Sequence, residues 1–95
     1  MIINIDQKAM EYIKSNSTDN SIQVIAKRIG GGWCQTFQPS VEMGKPLQED
    51  AFNLYKVGDI NVYVLKWLRI RDNEIRISLS KFLWINTLNV DGISF

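Results

Sequence analysis

Residues 29–34 of the chain read IGGGWC, and we expect the rest of the fold to be organised around this stretch. Three consecutive glycines are a poor choice for a regular element, because glycine loses more backbone entropy on folding than other residues. They suit a loop that needs positive φ angles or close approach to bare backbone. The thiol that follows is both a nucleophile and a soft metal ligand. We therefore expect any chemistry to lie here, with Gly31, Gly32 and Trp33 contacting a cofactor beside Cys34, the candidate metal ligand.

Extended segments are predicted on both sides of this loop. Ser21–Ile29 is rich in β-branched residues and places Ile22, Val24 and Ala26 on one face, a pattern typical of a strand. A second extended run is predicted at residues 35–38. Pro39 cannot donate a hydrogen bond to a neighbouring strand, so this run should lie at a sheet edge or contain a bulge.

The N-terminal segment predicts one helix. Asp6 is a good N-cap, because its carboxylate can accept hydrogen bonds from the unpaired amides of a first turn. Apolar residues then recur at helical spacing, at Ala9, Met10 and Ile13, as expected for a helix with one buried face. A polar run at residues 15–20 ends the helix, which we expect to span about ten residues.

The second half of the chain predicts further short strands, at residues 52–56, 60–64, 74–80 and 82–90. The first two flank a glycine-containing loop at residues 57–59, which is a hairpin signal. The third alternates apolar and polar residues, as a half-buried strand does, with Ile75, Ile77 and Leu79 predicted to face inward. Residues 65–68 break the alternation and are expected to form a single helical turn.

These elements amount to one N-terminal helix and about six or seven strands joined by short loops. A single helix cannot cover both faces of a sheet, so the strands must fold over on themselves. The expected fold is mainly β, of the α+β class: a small β-sandwich or rolled sheet with one helix beside it. Ninety-five residues are expected to form a single domain at residues 1–95.

Composition excludes several classes of function. Lys and Arg number 11 against 10 Asp and Glu, a net charge of +1, so we expect neither a nucleic-acid partner nor a membrane partner. The chain has no histidine, which removes Cys-His and Ser-His pairs and imidazole metal ligands. One cysteine, no signal peptide and no run of about 20 apolar residues predict a cytoplasmic, reduced protein.

The three tryptophans allow two interpretations. Trp33, Trp67 and Trp84 could present a stacking surface together with Phe37 and Tyr63. Aromatic residues more often supply core area in a small domain, so we expect Trp67 and Trp84 to be buried. Trp33 differs, because its glycine neighbours leave it little to pack on. We expect Trp33 to shield the thiol or to anchor an interface.

The order of these elements resembles the HesB-like family, which includes the A-type iron–sulfur cluster carriers. The likeness begins with the helix capped by Asp6 and continues through residues 22–28 into the Gly-Cys loop. It also takes in the strands at residues 60–64 and 75–79. In the carriers, one cysteine lies in the glycine-rich loop and two more lie close together near the C-terminus. Together, usually across a dimer, these cysteines bind iron or a cluster.

Cys34 matches the loop cysteine of the carriers, whereas residues 88–95 contain no cysteine. A smaller HesB-like branch is closer, since its loop carries a Cys-Cys or Cys-selenocysteine pair and it is regarded as redox-related. Trp33 stands where the first member of that pair would be. The resemblance therefore implies a HesB-like domain at residues 1–95, without the full cysteine set that carries a cluster.

The leading hypothesis is that Cys34 acts as a thiolate, either in contact with iron or an iron–sulfur cluster or in thiol redox chemistry. With one thiol and no histidine, a four-ligand site must be shared across a homodimer, with a low-molecular-weight thiol such as glutathione completing it. The alternative is a non-catalytic family member that binds a partner protein through the loop of Trp33 and Cys34. A thiol enzyme is a third option, against which stands the lack of a base to activate the nucleophile.

Overall fold

The computed structural model describes residues 1–33 and 36–94 of the chain. Two short 3₁₀ turns lie at Glu49–Ala51 and Arg71–Asn73. The described residues form β1 (Ile2–Ile5), α1 (Gln7–Asn16), β2 (Ser21–Ile29), β3 (Thr36–Met43), β4 (Phe52–Val57), β5 (Ile60–Leu65), β6 (Arg69–Ile70), β7 (Glu74–Phe82), β8 (Ile85–Asp91) and β9 (Ile93–Ser94). The fold is mainly β with one helix in these ranges, as the sequence predicts.

The strands form three sheets within the described part of the chain. One sheet has the order β3-β2-β5-β4, in which β2 and β5 are parallel and the outer pairs are antiparallel. The second has the order β1-β7-β8, with β1 parallel to β7, and the third joins β6 to β9. The prediction of six or seven strands is wrong. It missed β6 and β9, because strands of two residues are too short to show alternation.

Helix α1 begins at the predicted cap. The Asp6 carboxylate accepts the amide hydrogen of Ala9 at 2.7 Å, which satisfies one of the unpaired donors of the first turn. Ala9 and Ile13 are fully buried, and the helix packs against β7 and β5. Its length of ten residues confirms the prediction.

Alternating side chains of the central strands build the core. Branched aliphatic residues predominate in it, and its members are Ala9, Ile13, Ile22, Val24, Ile60, Val62, Val64, Leu68, Ile75, Ile77 and Ile93. The predicted inward faces of β2 and β7 are confirmed in the first half of each strand. Burial then declines, since Ala26 and Leu79 are half-buried and Lys27 and Ser80 are exposed. Both strands therefore run out of the core into solvent.

Two further local predictions are confirmed. Pro39 lies in β3, which is an edge strand of its sheet as far as the described residues go, where a missing amide donor costs little. This strand reaches Met43, so it is longer than predicted. The β4–β5 hairpin turns at Gly58 and Asp59, with Gly58 at a φ of 60°.

The structure corrects the interpretation of residues 82–90 as one strand. Phe82 ends β7, Leu83 and Trp84 form a turn, and β8 begins at Ile85. The sequence hides this turn because two-residue hairpin loops usually contain Gly, Asn or Asp. Here Leu83 adopts a φ of 58°, which is uncommon for a residue with a large side chain.

Residues 65–68 link β5 to β6. The amide of Leu68 donates a hydrogen bond to the carbonyl oxygen of Leu65 at 3.2 Å. The expected single helical turn is thus a hydrogen-bonded turn, and it cannot extend into a helix because β6 begins at Arg69.

Gly92 lies between β8 and β9 and closely approaches Glu74, the first residue of β7. It has a φ of 105°, and a Cβ at this position would collide with the carbonyl oxygen of Glu74. We expect Gly92→Ala to lower the free energy of unfolding by about 1–3 kcal/mol, because the left-handed backbone and the collision both oppose a side chain. Urea unfolding measures the effect. Gly31→Ala is the control, since its added Cβ meets no atom within 4 Å, and equal stability of the two variants would contradict this account.

Candidate functional site

The free end of the β2–β3 hairpin carries the residues singled out from the sequence. β2 and β3 pair along their length, as far as Ile29 opposite Thr36. β5 pairs with β2 only as far as Val24, so the rest of β2 extends beyond the central sheet. Residues 27–33 and 36–38 are all exposed. The candidate site therefore lies at the end of a projecting two-stranded ribbon.

The glycines shape this end as predicted. Gly30 and Gly32 have φ angles of 87° and 64°, in a region that glycine enters without steric cost. A Cβ at Gly31 or Gly32 would meet no atom within 4 Å. Positive φ, rather than close approach of another described group, is what requires glycine here.

Trp33 is fully exposed at this end. Cys34 and Gln35 lie outside the described residues. The assignment of Cys34 as a metal ligand, with Gly31, Gly32 and Trp33 as cofactor-contacting neighbours, therefore stays a prediction. In residues 1–33 and 36–94, no group of three or more His, Cys, Asp or Glu is placed to hold a metal ion.

Two aromatic rings meet beside the exposed part of β3. The rings of Phe37 and Trp67 make an edge-to-face contact with their centroids 5.7 Å apart. The guanidinium of Arg28 lies 5.8 Å from the centroid of the Phe37 ring. An aromatic pair of this geometry contributes about 0.5–1.5 kcal/mol beyond its buried area. The contact ties the turn that follows β5 to the hairpin.

The prediction that Trp67 and Trp84 are buried is wrong. Trp67 is 55% exposed and Trp84 is 80% exposed, because the first lies in the turn after β5 and the second at the tip of the β7–β8 hairpin. Tyr63, which was considered with them for a stacking surface, is buried in β5. Phe37 and Trp67 are the two members of the proposed stacking surface whose rings are in contact among the described residues.

Tyr63 has a structural role. Its hydroxyl donates a hydrogen bond to Oε1 of Glu49 at 3.1 Å. Burial raises the pKa of Tyr63 above the ordinary value of 10.0, and the hydrogen bond and charge of Glu49, together with the charge of Asp19, raise it further. Each of these effects favours the neutral phenol. Tyr63 therefore joins β5 to the 3₁₀ turn before β4.

Charged residues line a small cleft at the start of β7. The cleft has a volume of about 160 Å³. In it, Arg71 pairs with Asp91 at 3.0 Å and Arg76 pairs with Glu74 at 3.0 Å. Both arginines and Asp91 are largely exposed, so the pairs contribute little to stability. This arrangement is an ordinary cluster of surface ion pairs.

Comparison with models of known protein families shows which family the chain belongs to. The model of the CC/Se motif containing family matches residues 1–93, which include β2, the glycine loop and β3. The chain belongs to the CC/Se motif containing family. No curated protein and no solved structure matches it. This CC/Se motif protein has one cysteine, so it cannot form a cysteine pair within one chain, and its HesB-like resemblance stays a prediction.

Sequence reasoning missed one surface of this CC/Se motif protein. Phe82, Leu83, Trp84 and Ile85 are consecutive apolar residues, and all are exposed at the turn between β7 and β8. A run of four apolar residues is also what a buried strand presents.

No helix in the described ranges is long and apolar enough to cross a membrane.

Ionisation of Tyr63 should oppose folding at alkaline pH. Because its folded-state pKa is raised, the unfolded chain loses this proton first as the pH passes 10.0. The contribution of Tyr63 to stability is fully present below that pH and is lost as the pH rises through the folded-state pKa. We expect the free energy of unfolding of the wild type to fall relative to that of Tyr63→Phe as the pH rises above 10.0.

Urea unfolding across this pH range measures the difference. Glu49→Gln provides the control, because it keeps a hydrogen-bond acceptor and removes the charge. Ultraviolet titration of this variant should show a Tyr63 pKa closer to the ordinary value. A difference between wild type and Tyr63→Phe that does not change with pH would contradict the assignment.

Proposed function

We propose that this CC/Se motif protein is a binding domain that engages a partner protein with the exposed end of its β2–β3 hairpin. Trp33 is the anchor. The observation that carries the proposal is the full exposure of Trp33 at the end of a ribbon that projects beyond the core. An indole left in water adds nothing to the packing of its own chain. Tryptophan is enriched among the interface residues whose truncation weakens binding most.

The surroundings of Trp33 support this role. Phe37 is partly exposed on β3 and is held by its edge contact with Trp67. The exposed part of the hairpin therefore rests on a fixed aromatic contact. Gly30 and Gly32 have positive φ angles, and residues 29–33 are all exposed to solvent. A partner can reach Trp33 without displacing any described part of this chain.

Substitution of Trp33 should weaken partner binding strongly. We expect Trp33→Ala to weaken it at least about tenfold, as for other central tryptophan anchors, and Cys34→Ser to leave it unchanged. Leu47→Ala is the matched control, because Leu47 is as exposed as Trp33 and lies in the loop before β4. Each variant would be immobilised, retained proteins quantified by mass spectrometry, and the enriched protein purified for calorimetry. Equal affinity of Trp33→Ala and wild type would contradict the proposal.

A second function is favoured by the family to which the chain belongs. The matched region spans the loop that holds Cys34, and glycine amides next to a thiol can stabilise its thiolate. We propose that Cys34 serves as a thiolate, in contact with iron or an iron–sulfur cluster or in thiol redox chemistry. The domain would then have the HesB-like form of a small β-sandwich or rolled sheet.

One chain does not supply a complete site for a soft metal. It has one cysteine and no histidine, and the described residues hold no cluster of other metal-ligating side chains. Thiolates from the two chains of a homodimer, together with glutathione, would complete a four-ligand site. Iron or a cluster is then cargo shared between chains, with Gly31, Gly32 and Trp33 next to it.

Anaerobic incubation with ferrous iron, sulfide and glutathione tests the thiolate function. We expect a protein-bound thiolate-to-iron charge-transfer band and a dimer for the wild type, and neither for Cys34→Ser, because that variant has no protein thiol. The visible spectrum and the mass in solution are the readouts. Trp33→Ala separates the two functions, since it keeps the thiol and should keep the band. A colourless wild type whose thiol titrates like free cysteine would contradict metal binding by Cys34.

We further propose a cytoplasmic location. The single cysteine has no partner for an internal disulfide, and a free thiol persists most readily in a reducing compartment.

A further inference from the structure

The turn of the β7–β8 hairpin exposes an unusual amount of apolar surface. Phe82, Leu83, Trp84 and Ile85, here called the hydrophobic tip, are each between 56% and 80% exposed. Isolated exposed apolar residues are common on protein surfaces, whereas contiguous ones mark interaction sites for proteins or membranes. The hydrophobic tip joins two large aromatic and two aliphatic side chains without interruption.

The hydrophobic tip stands clear of the core. β1 pairs with β7 only as far as Ile77, whereas β7 and β8 pair with each other as far as Phe82 and Ile85. Beyond Ile77, the hairpin is a two-stranded ribbon that ends in the turn of Leu83 and Trp84. The surface is therefore a convex projection and not a groove.

The charges around the hydrophobic tip have one sign. Residues 77–90 contain one charged residue, Lys81, and no acidic residue, although the chain has 10 Asp and Glu. Residues 20–41 of the β2–β3 hairpin likewise contain Lys27 and Arg28 and no acidic residue. These two hairpins are neighbours, since β3 lies beside β8. A partner that covers the hydrophobic tip thus meets apolar side chains and positive charge.

We propose that the hydrophobic tip inserts into the headgroup region of an anionic lipid membrane. Tryptophan is favoured at the membrane–water interface, where its ring is partly apolar and its N–H remains hydrated. Basic residues next to an apolar surface add attraction to anionic lipids. A lipid surface can enclose a convex tip from every side. A protein partner would need a matching groove, and a second copy would bring like charges together.

This membrane contact needs no membrane-spanning helix, because a peripheral protein binds by partial insertion and charge. The even balance of charge over the whole chain does not oppose it, because residues 20–41 and 77–90 of the two hairpins contain Lys27, Arg28 and Lys81 and no acidic residue. The membrane contact also does not depend on Trp33 or Cys34, so its test is independent of the tests of the proposed function.

Co-sedimentation with lipid vesicles tests the proposal. The probe vesicles contain equal parts of phosphatidylglycerol and phosphatidylcholine, and vesicles of phosphatidylcholine alone are the reference. We expect the wild type to bind the anionic vesicles, to bind the neutral ones much less, and to be released by added salt, which screens exposed charges.

Leu83→Asp is the decisive variant. Aspartate tolerates the positive φ of this position better than leucine does, so the fold should survive, and circular dichroism verifies that it does. We expect binding to anionic vesicles to weaken at least about tenfold. The carboxylate opposes both the burial of apolar surface and the attraction of positive charge to anionic lipids. Leu47→Asp is the matched control. Leu47 is fully exposed near Glu49 and Asp50, and its substitution should leave binding unchanged.

Lys81→Gln tests the charge term separately. We expect it to weaken binding about fivefold, the effect of one basic residue near an anionic surface, whereas Lys45→Gln in the loop before β4 should not. The proposal would be overturned if the wild-type protein failed to bind anionic vesicles. It would also be overturned if the Leu83→Asp variant bound them as tightly as the wild type. A wild-type dimer in solution that becomes monomeric in Leu83→Asp would overturn it too, because the tip would then be an interface between copies.

Discussion

The short parallel pairing of β2 with β5 is the constraint on which the rest of the structure depends. It joins Ser21 through Val24 to Asn61 through Val64 and supplies buried side chains from both strands to the core. Because this pairing stops at Val24, the rest of β2 has β3 as its hydrogen-bonded neighbour in the described chain. The core therefore retains the first half of β2 and leaves the second half, with the glycine loop, in water.

β7, like β2, has a first half in the core and a second half exposed to solvent. Its first residues pair with β1 and bury Ile75 and Ile77, whereas its last residues pair with β8 alone. Each of the two long hairpins thus has a buried root and an exposed end, and each end presents a tryptophan. Burial of branched aliphatic side chains at the roots is what stabilises the domain. Substitutions at the ends can change binding while leaving that burial intact.

The two ends differ in chemistry. The β2–β3 end combines glycine backbone and Trp33 with the single thiol of the chain, so partner binding and thiolate chemistry would use the same loop. The two are compatible, because a partner that covers Trp33 would also exclude water from its surroundings. The β7–β8 end has apolar side chains and a lysine, which suit a lipid surface. The chain has no histidine and one cysteine, so it contains no Cys-His pair, and the described residues at both ends are exposed to solvent.

Features that depend on a few neighbouring residues were determined by the sequence itself. The cap at Asp6, the turn at Gly58, the alternation along the strands and the open loop before Trp33 are of this kind, because local backbone preferences and side-chain spacing decide them. The pairing of β1 with β7, the turn at Leu83 and the exposure of Trp84 were decided by the tertiary structure. An apolar run has the same pattern in a buried strand and at a solvent-exposed tip. The difference depends on which distant strand lies beside it, and residues far along the chain control that.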